Sequence, residues 1–157
     1  MNQMTSTLSN LADASDSVDY DSDLARWYEH QVALLRAQQF HQLDLEHLIE
    51  ELEGMAGRDR RELRSRLCIL LGHLLKCQFQ PERKSSGWIG TIKTQRREIQ
   101  GILKESPSLK QKVAPFSEEE YECALELAVD DTGLPLATFP QQNPWSARDI
   151  LDHEFFP

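Results

Sequence analysis

No cysteine pair in this chain has the spacing of a metal or redox motif, no apolar run approaches the thickness of a bilayer, and no phosphate-binding glycine loop is present. Each absence removes a class of function. Cys68, Cys77 and Cys123 are the only cysteines and contain no CxxC, so neither a zinc site nor a dithiol redox centre has support. Cys68 and Cys77 stand nine residues apart, about 180° on a helix, and cannot pair with each other. Three reduced thiols, acting as small hydrophobes, are the expectation. The longest near-continuous apolar run, Leu67–Cys77, falls short of the ~20 residues a membrane helix needs. Met1–Leu8 carries no positive charge and no apolar core, which excludes a signal peptide and leads to a cytosolic expectation. There is no P-loop, dinucleotide fingerprint or Ser-His-Asp set, and no cofactor is expected.

What remains is a chain of 157 residues, long enough for one domain with a real core. Its net charge of −9 is unevenly spread. Residues 1–23 hold five Asp and no Lys or Arg, and residues 24–57 hold six acids against two Arg. Residues 58–112 reverse the balance, with fourteen Lys or Arg against five acids, and residues 113–157 hold ten acids against one Arg. A basic middle therefore lies between acidic ends. Either the ends neutralise it within the fold, or it faces an anionic partner.

The run LCILLGHLLKC, Leu67–Cys77, is Leu-rich and has no Pro, which favours a helix apolar on most sides and hence central. Residues 1–22 are polar and acidic and are read as a disordered tail; residues 23–157 are read as a single helical bundle domain. Asp23 caps a first helix with Leu24, Trp27, Tyr28, Val32, Leu34 and Leu35 on its apolar side. Asp44 caps the next, where Leu45, Leu48, Ile49, Leu52 and Ala56 make a clean amphipathic stripe. Gly54, Gly57 and a capping box at Asp59-Arg-Arg-Glu62 predict a break before the central helix, which ends before Pro81. Ser85 or Ser86 starts a helix with Trp88, Ile92, Ile99, Ile102 and Leu103 inward. Ser106-Pro107 opens a short one, and Ser117 to Glu120 is a second capping box. Gly133 ends the following helix, Ser146 caps a last short one, and Phe155-Phe156 docks on the core. The fold class is all-α, an up-and-down bundle of about 5–7 helices around the central apolar helix.

One face of the central helix is polar. At about 100° per residue, Glu62, Arg66, His73, Lys76 and Gln80 fall near one line, and Gln95 and Arg96 of the next helix can meet it. This is the candidate site: a polar seam of Glu62, Arg66, His73, Lys76, Gln95 and Arg96, with His73 its titrating member. The plainer reading is a half-exposed edge whose polar groups are paired for structural reasons, and it is preferred. His47-x-x-Glu50 has the reverse order of a di-iron Glu-x-x-His and occurs once; Glu50-x-x-Glu53 matches only half of a pyrophosphohydrolase pattern. Arg58, Arg60, Arg61, Arg64, Arg83, Lys84, Lys93, Arg96 and Arg97 could form one basic patch, but no nucleic-acid-binding module accompanies them.

Taken together, LDLEHLIEELEGM (Leu43–Met55), SRLCILLGHLLKCQFQPERK (Ser65–Lys84), GWIGTIKTQRREI (Gly87–Ile99), SPSL (Ser106–Leu109) and DTGLP (Asp131–Pro135) carry a resemblance to the bacterial family known as domain of unknown function number twenty-nine. It covers roughly Asp23–Pro157. The resemblance implies an all-helical up-and-down bundle in a bacterial cytosolic protein, and no activity. Similar proteins often carry Asn in place of His47 and Trp in place of Cys77, which argues against a metal ligand at the first and a nucleophile at the second. With enzyme signatures absent, a non-enzymatic module that binds an unknown protein partner ranks first, with Trp145 and Trp88 as exposed anchors. A nucleic-acid-associated protein using segment 58–112 ranks second, and a metal-dependent helical-bundle hydrolase third. No membrane partner is expected.

Overall fold

Four helices begin where the sequence offers a capping oxygen. The Asp23 carboxylate accepts from the Arg26 amide at 3.1 Å and opens α1, Leu24–Arg36. Asp44 Oδ1 accepts from the His47 amide at 3.4 Å and opens α2, Leu45–Phe79. Ser85 Oγ accepts from the Trp88 amide at 3.2 Å and opens α3, Ser86–Glu105. Ser146 and Asp149 form a reciprocal capping box at α6, Ala147–Leu151. Between the last two lie α4 (Val113–Glu119) and α5 (Tyr121–Thr132). The computed structural model describes residues 19–157, and these are all-α, with six α-helices, short 3-10 turns and no strand.

The expected break after Gly54 does not occur. α2 runs unbroken for 35 residues. Each glycine weakens a helix by about 1 kcal/mol relative to alanine, and the Leu, Glu, Met, Ala and Arg residues around the pair are strong helix formers. Asp59 caps nothing; its carboxylate accepts from Ser106 Oγ at 2.7 Å instead. The second expected capping box also fails. Ser117 lies inside α4 and donates to the Val113 carbonyl at 2.7 Å. Pro115 sits in the first turn of that helix, where its missing N–H has no duty. Gly133 does end α5, in the left-handed conformation with φ of 71°.

The described residues fall into two compact units, divided between Leu52 and Glu53. In the described part of the first, α1 and the start of α2 form an antiparallel hairpin joined through a 3-10 turn at Phe40–Gln42. Trp27, Gln31 and Leu34 are its buried residues on α1. Trp27 Nε1 donates to Asp44 Oδ2 at 3.1 Å, and the Asp44 amide donates to Gln31 Oε1 at 3.0 Å. Tyr20, inside the segment read as disordered tail, packs edge-on to Trp27 and stacks on His47 with centroids 4.1 Å apart. The rest of that segment up to residue 18 lies outside the described residues.

In the second unit Leu63, Leu67, Leu70, Leu71, Leu74 and Leu75 of α2 are fully buried. Around them pack Ile92 and Ile99 of α3, Val113 and Phe116 of α4, Tyr121, Ala124 and Ala128 of α5, and Ile150 of α6. The central apolar helix is therefore central in this unit, as its composition requires. A Cβ on Gly72 would stand 2.7 Å from Leu127 Cδ2 and 3.3 Å from the Ala124 carbonyl oxygen, so this glycine lets α5 approach α2 closely. One turn away Cys68 and Cys123 form a disulfide, with Cα atoms 5.8 Å apart. The expectation of three reduced thiols is thereby corrected: the partner of Cys68 comes from a helix 55 residues away, and only Cys77 is free, buried in the core. No described helix is long and apolar enough to cross a membrane.

Candidate functional site

The predicted polar seam resolves into three separate arrangements, all within the second unit. In the first, His73 Nδ1 donates to the Ile69 carbonyl one turn back at 2.9 Å. Its Nε2 is then the accepting nitrogen, and Lys76 Nζ lies against it at 3.4 Å. Lys76 also donates to Asp131 of α5 at 2.6 Å and lies over the Trp88 ring at 4.6 Å. Lys76 is buried while Asp131 is half-exposed, so the pair anchors α2 to α5 at the rim of the core. Gln80 reaches the Thr132 carbonyl at 3.5 Å on the same side. Burial, and then the Lys76 ammonium, hold His73 below the ordinary histidine range, against the pull of the Ile69 carbonyl and Asp131. Both ring nitrogens are engaged, which leaves no free lone pair to act as a base.

The second arrangement is an ion-pair cluster. Arg66 donates to Glu62 at 2.8 Å and to Gln95 at 3.3 Å, with Glu98 of α3 at 3.7 Å. Arg96 belongs to neither group. Its Nε donates to the Ile150 carbonyl at 2.8 Å and its Nη2 approaches the Asp149 carbonyl at 3.5 Å, at the last turn of α6. The side chain is fully buried beneath Phe156, and Nη1 has no partner among the described residues. Burial pushes Arg96 down from the usual arginine value, opposed by Asp152. A guanidinium donating to helix-end carbonyls satisfies groups that would otherwise be orphaned, and that is a structural duty.

Part of the basic segment is engaged. Arg64 is clasped by Glu119 and by Glu120 at 2.8 Å, and lies 4.2 Å from the Phe116 ring centroid. Arg97 pairs with Glu98 at 3.1 Å, and Lys84 donates to the Pro157 carbonyl at 2.9 Å. Arg58, Arg60 and Arg61 remain exposed on α2. No three metal-ligating side chains converge among the described residues. Cys77 is buried, and burial raises its thiol above the ordinary value, the reverse of what a nucleophile needs. A shallow cleft of 580 Å³ lies between Leu103, Val113, Ala147 and Leu151, with Lys110, Arg148 and Asp152 at its edge. Of the two tryptophans expected as anchors, Trp145 is buried and Trp88 is half-buried under Lys76.

The exposed apolar residues lie elsewhere. In the first unit Leu24, Tyr28, Val32 and Leu35 of α1 are 38–44% exposed, and Leu45, Ile49 and Leu52 of α2 are 55–64% exposed. The sequence marks these residues as the apolar sides of their helices. Beside them runs a polar network that sequence reasoning missed. Tyr20 and Tyr28 both donate to Glu51, which raises Tyr20 to about 12 and holds Glu51 below the usual carboxylate range. His47 Nδ1 donates to Asp44 at 2.7 Å, and that bond raises His47. Glu51 could have been suspected from its place on the side of α2 opposite Glu46 and Glu53; Tyr20 gave no periodic signal at all.

The model of the family described as Domain of unknown function DUF29 matches residues 20–156. No curated protein and no solved structure matches the chain.

Proposed function

Because the chain belongs to the Domain of unknown function DUF29 family, whose description assigns no chemistry, we propose its role from its surface: a bacterial, non-enzymatic module that docks another protein on the exposed face of its N-terminal hairpin. The observation that carries this reading is the set of seven large apolar side chains on α1 and α2 left 38–64% exposed. Large apolar side chains left exposed together on a folded chain are the usual mark of an interaction site. The catalytic alternatives have less support, since His73 and Lys76 are engaged with each other and with the fold. The nucleic-acid reading is weaker too, because carboxylates or carbonyls already occupy Arg64, Arg66, Arg96 and Arg97. The Cys68–Cys123 bridge pulls against a cytoplasmic setting, as such bridges persist chiefly in oxidising compartments.

The test places a photo-crosslinking residue at Leu52 or, as control, at Gln100 in the full chain. The expected result is an adduct of one defined mass from position 52 only. The partner identified from it should then bind the purified chain and lose binding to the Ile49→Asp/Leu52→Asp variant. A reconstituted pair indifferent to that variant, but broken by Arg58→Glu/Arg60→Glu/Arg61→Glu, would move the site to the basic surface.

A further inference from the structure

The contacts within the hairpin fix which way its two apolar stripes face. Tyr28 meets Glu51 while Gln31 meets Asp44, so residue numbers fall on α1 as they rise on α2, and the helices are antiparallel. On α1 the exposed Leu24, Tyr28, Val32 and Leu35 are centred about 90° round the helix from the buried Trp27, Gln31 and Leu34, in the sense of increasing residue number. On α2 the exposed Leu45, Ile49 and Leu52 are centred about 120° round from Asp44 and Glu51, in the same sense. For antiparallel helices, similar turns in the same sense bring both stripes to one face. Two apolar stripes on neighbouring helices leave a groove between them, and a third helix is the shape that fills it.

Charge selects which helix. Residues 19–52 hold eight carboxylates against two arginines. Glu46 and Glu50 are exposed on the outer flank of the α2 stripe. A second copy of the same hairpin would set these carboxylates against their own kind. An amphipathic helix with a leucine-rich face and Lys or Arg along its rim makes the same contact complementary. Resting on the interaction reading above, we infer that the hairpin groove takes such a cationic amphipathic helix from another protein, completing a three-helix bundle.

The probe is a fluorescein-labelled peptide of about 18 residues, made only of Leu and Lys in a 3.6-residue pattern, long enough to be helical on contact. Its counterparts are a Leu/Glu peptide of the same pattern and a scrambled Leu/Lys peptide. Anisotropy with the full chain should show the patterned Leu/Lys peptide binding at least about tenfold more tightly than either. Ile49→Asp/Leu52→Asp should weaken it by about tenfold or more, although the variant adds two negative charges. Glu46→Lys/Glu50→Lys, which touches no apolar side chain, should weaken the Leu/Lys peptide and strengthen the Leu/Glu one. Equal or tighter binding by the aspartate variant would mean charge attraction alone and overturn the inference. So would equal affinity for the Leu/Glu peptide. A dimer in sedimentation velocity that dissociates in the aspartate variant would give the groove to a second copy and overturn it equally. Binding of the chain to phosphatidylcholine vesicles through the same residues would do the same. If position 52 crosslinks a partner while the Leu/Lys peptide fails, the partner chemistry is wrong and the docking face stands; if both fail, the face itself falls.

Discussion

The two ends of α2 carry apolar stripes of the same kind and meet opposite fates. From Leu45 to Leu52 the stripe is more than half exposed at three positions. From Leu63 to Leu75 six leucines are fully buried under α3, α4, α5 and α6. Both stretches have the periodicity of an amphipathic helix, and the exposed one is the cleaner of the two. Periodicity reports which side of a helix avoids water; it does not report whether another element of the same chain covers that side. Coverage is a property of the rest of the sequence, and among the described residues α3, α4, α5 and α6 supply it to the buried stretch. An uncovered stripe stays at the surface.

That contrast can be broken most forcefully where the buried stretch is fastened. Reducing the Cys68–Cys123 bridge, or replacing both residues with Ser, should cost about 4 kcal/mol, the chain-entropy value for a loop of 55 residues. Urea unfolding with and without reductant measures it. An unchanged midpoint would mean that α2 and α5 are held together without the bridge. Next in size is Leu71→Ala, which leaves a cavity in the core and should cost about 2–5 kcal/mol, against less than about 0.5 kcal/mol for Leu52→Ala on the exposed stretch. Similar losses at the two positions would erase the distinction. Gly72→Val should cost about 1–3 kcal/mol, because its side chain must displace Leu127 and press on the α5 backbone at Ala124.

The two histidines of α2 sharpen the comparison with a smaller effect of opposite sign. His73 is held below 6.5 by burial and Lys76, so the stability it contributes is whole above that pH and is lost as pH falls through 6.5 towards its lower folded value. His47 is raised above 6.5 by Asp44, so its contribution is whole below that pH and is lost as pH rises through the folded value. Titration of the two imidazoles by NMR should place them on opposite sides of 6.5, and His73→Gln should flatten the acid limb of the stability curve. Both resonances titrating together would remove the difference in environment.

Much of the fold was legible because it is written locally. Asp23, Ser85 and Ser146 cap the helices they precede, Gly133 ends α5, and Leu67–Cys77 lies at the centre of a core. What was not legible depends on distant residues. Asp59 and Ser117 have the spacing of capping boxes, yet each found a better hydrogen-bond partner, and α2 continued past two glycines. Cys123 could not be matched to Cys68 without knowing that α5 lies along α2. Along the seam Glu62 pairs with Arg66, and His73 meets Lys76, each about one turn apart on α2. Arg96 turns to α6, because phase on one helix does not say which neighbour a long side chain will reach.

The central claim is that the hairpin stripe is a surface and not a core, and the most direct measurement is the stability of Ile49→Asp/Leu52→Asp beside the unaltered chain. On a surface the two carboxylates stay in water, and urea unfolding should agree to within about 0.5 kcal/mol with far-UV helicity unchanged. Buried carboxylates without partners would cost several kcal/mol, on the order of 3 or more. A loss of that size, or a fall in helix content, would show that Ile49 and Leu52 hold the fold together and would contradict the account.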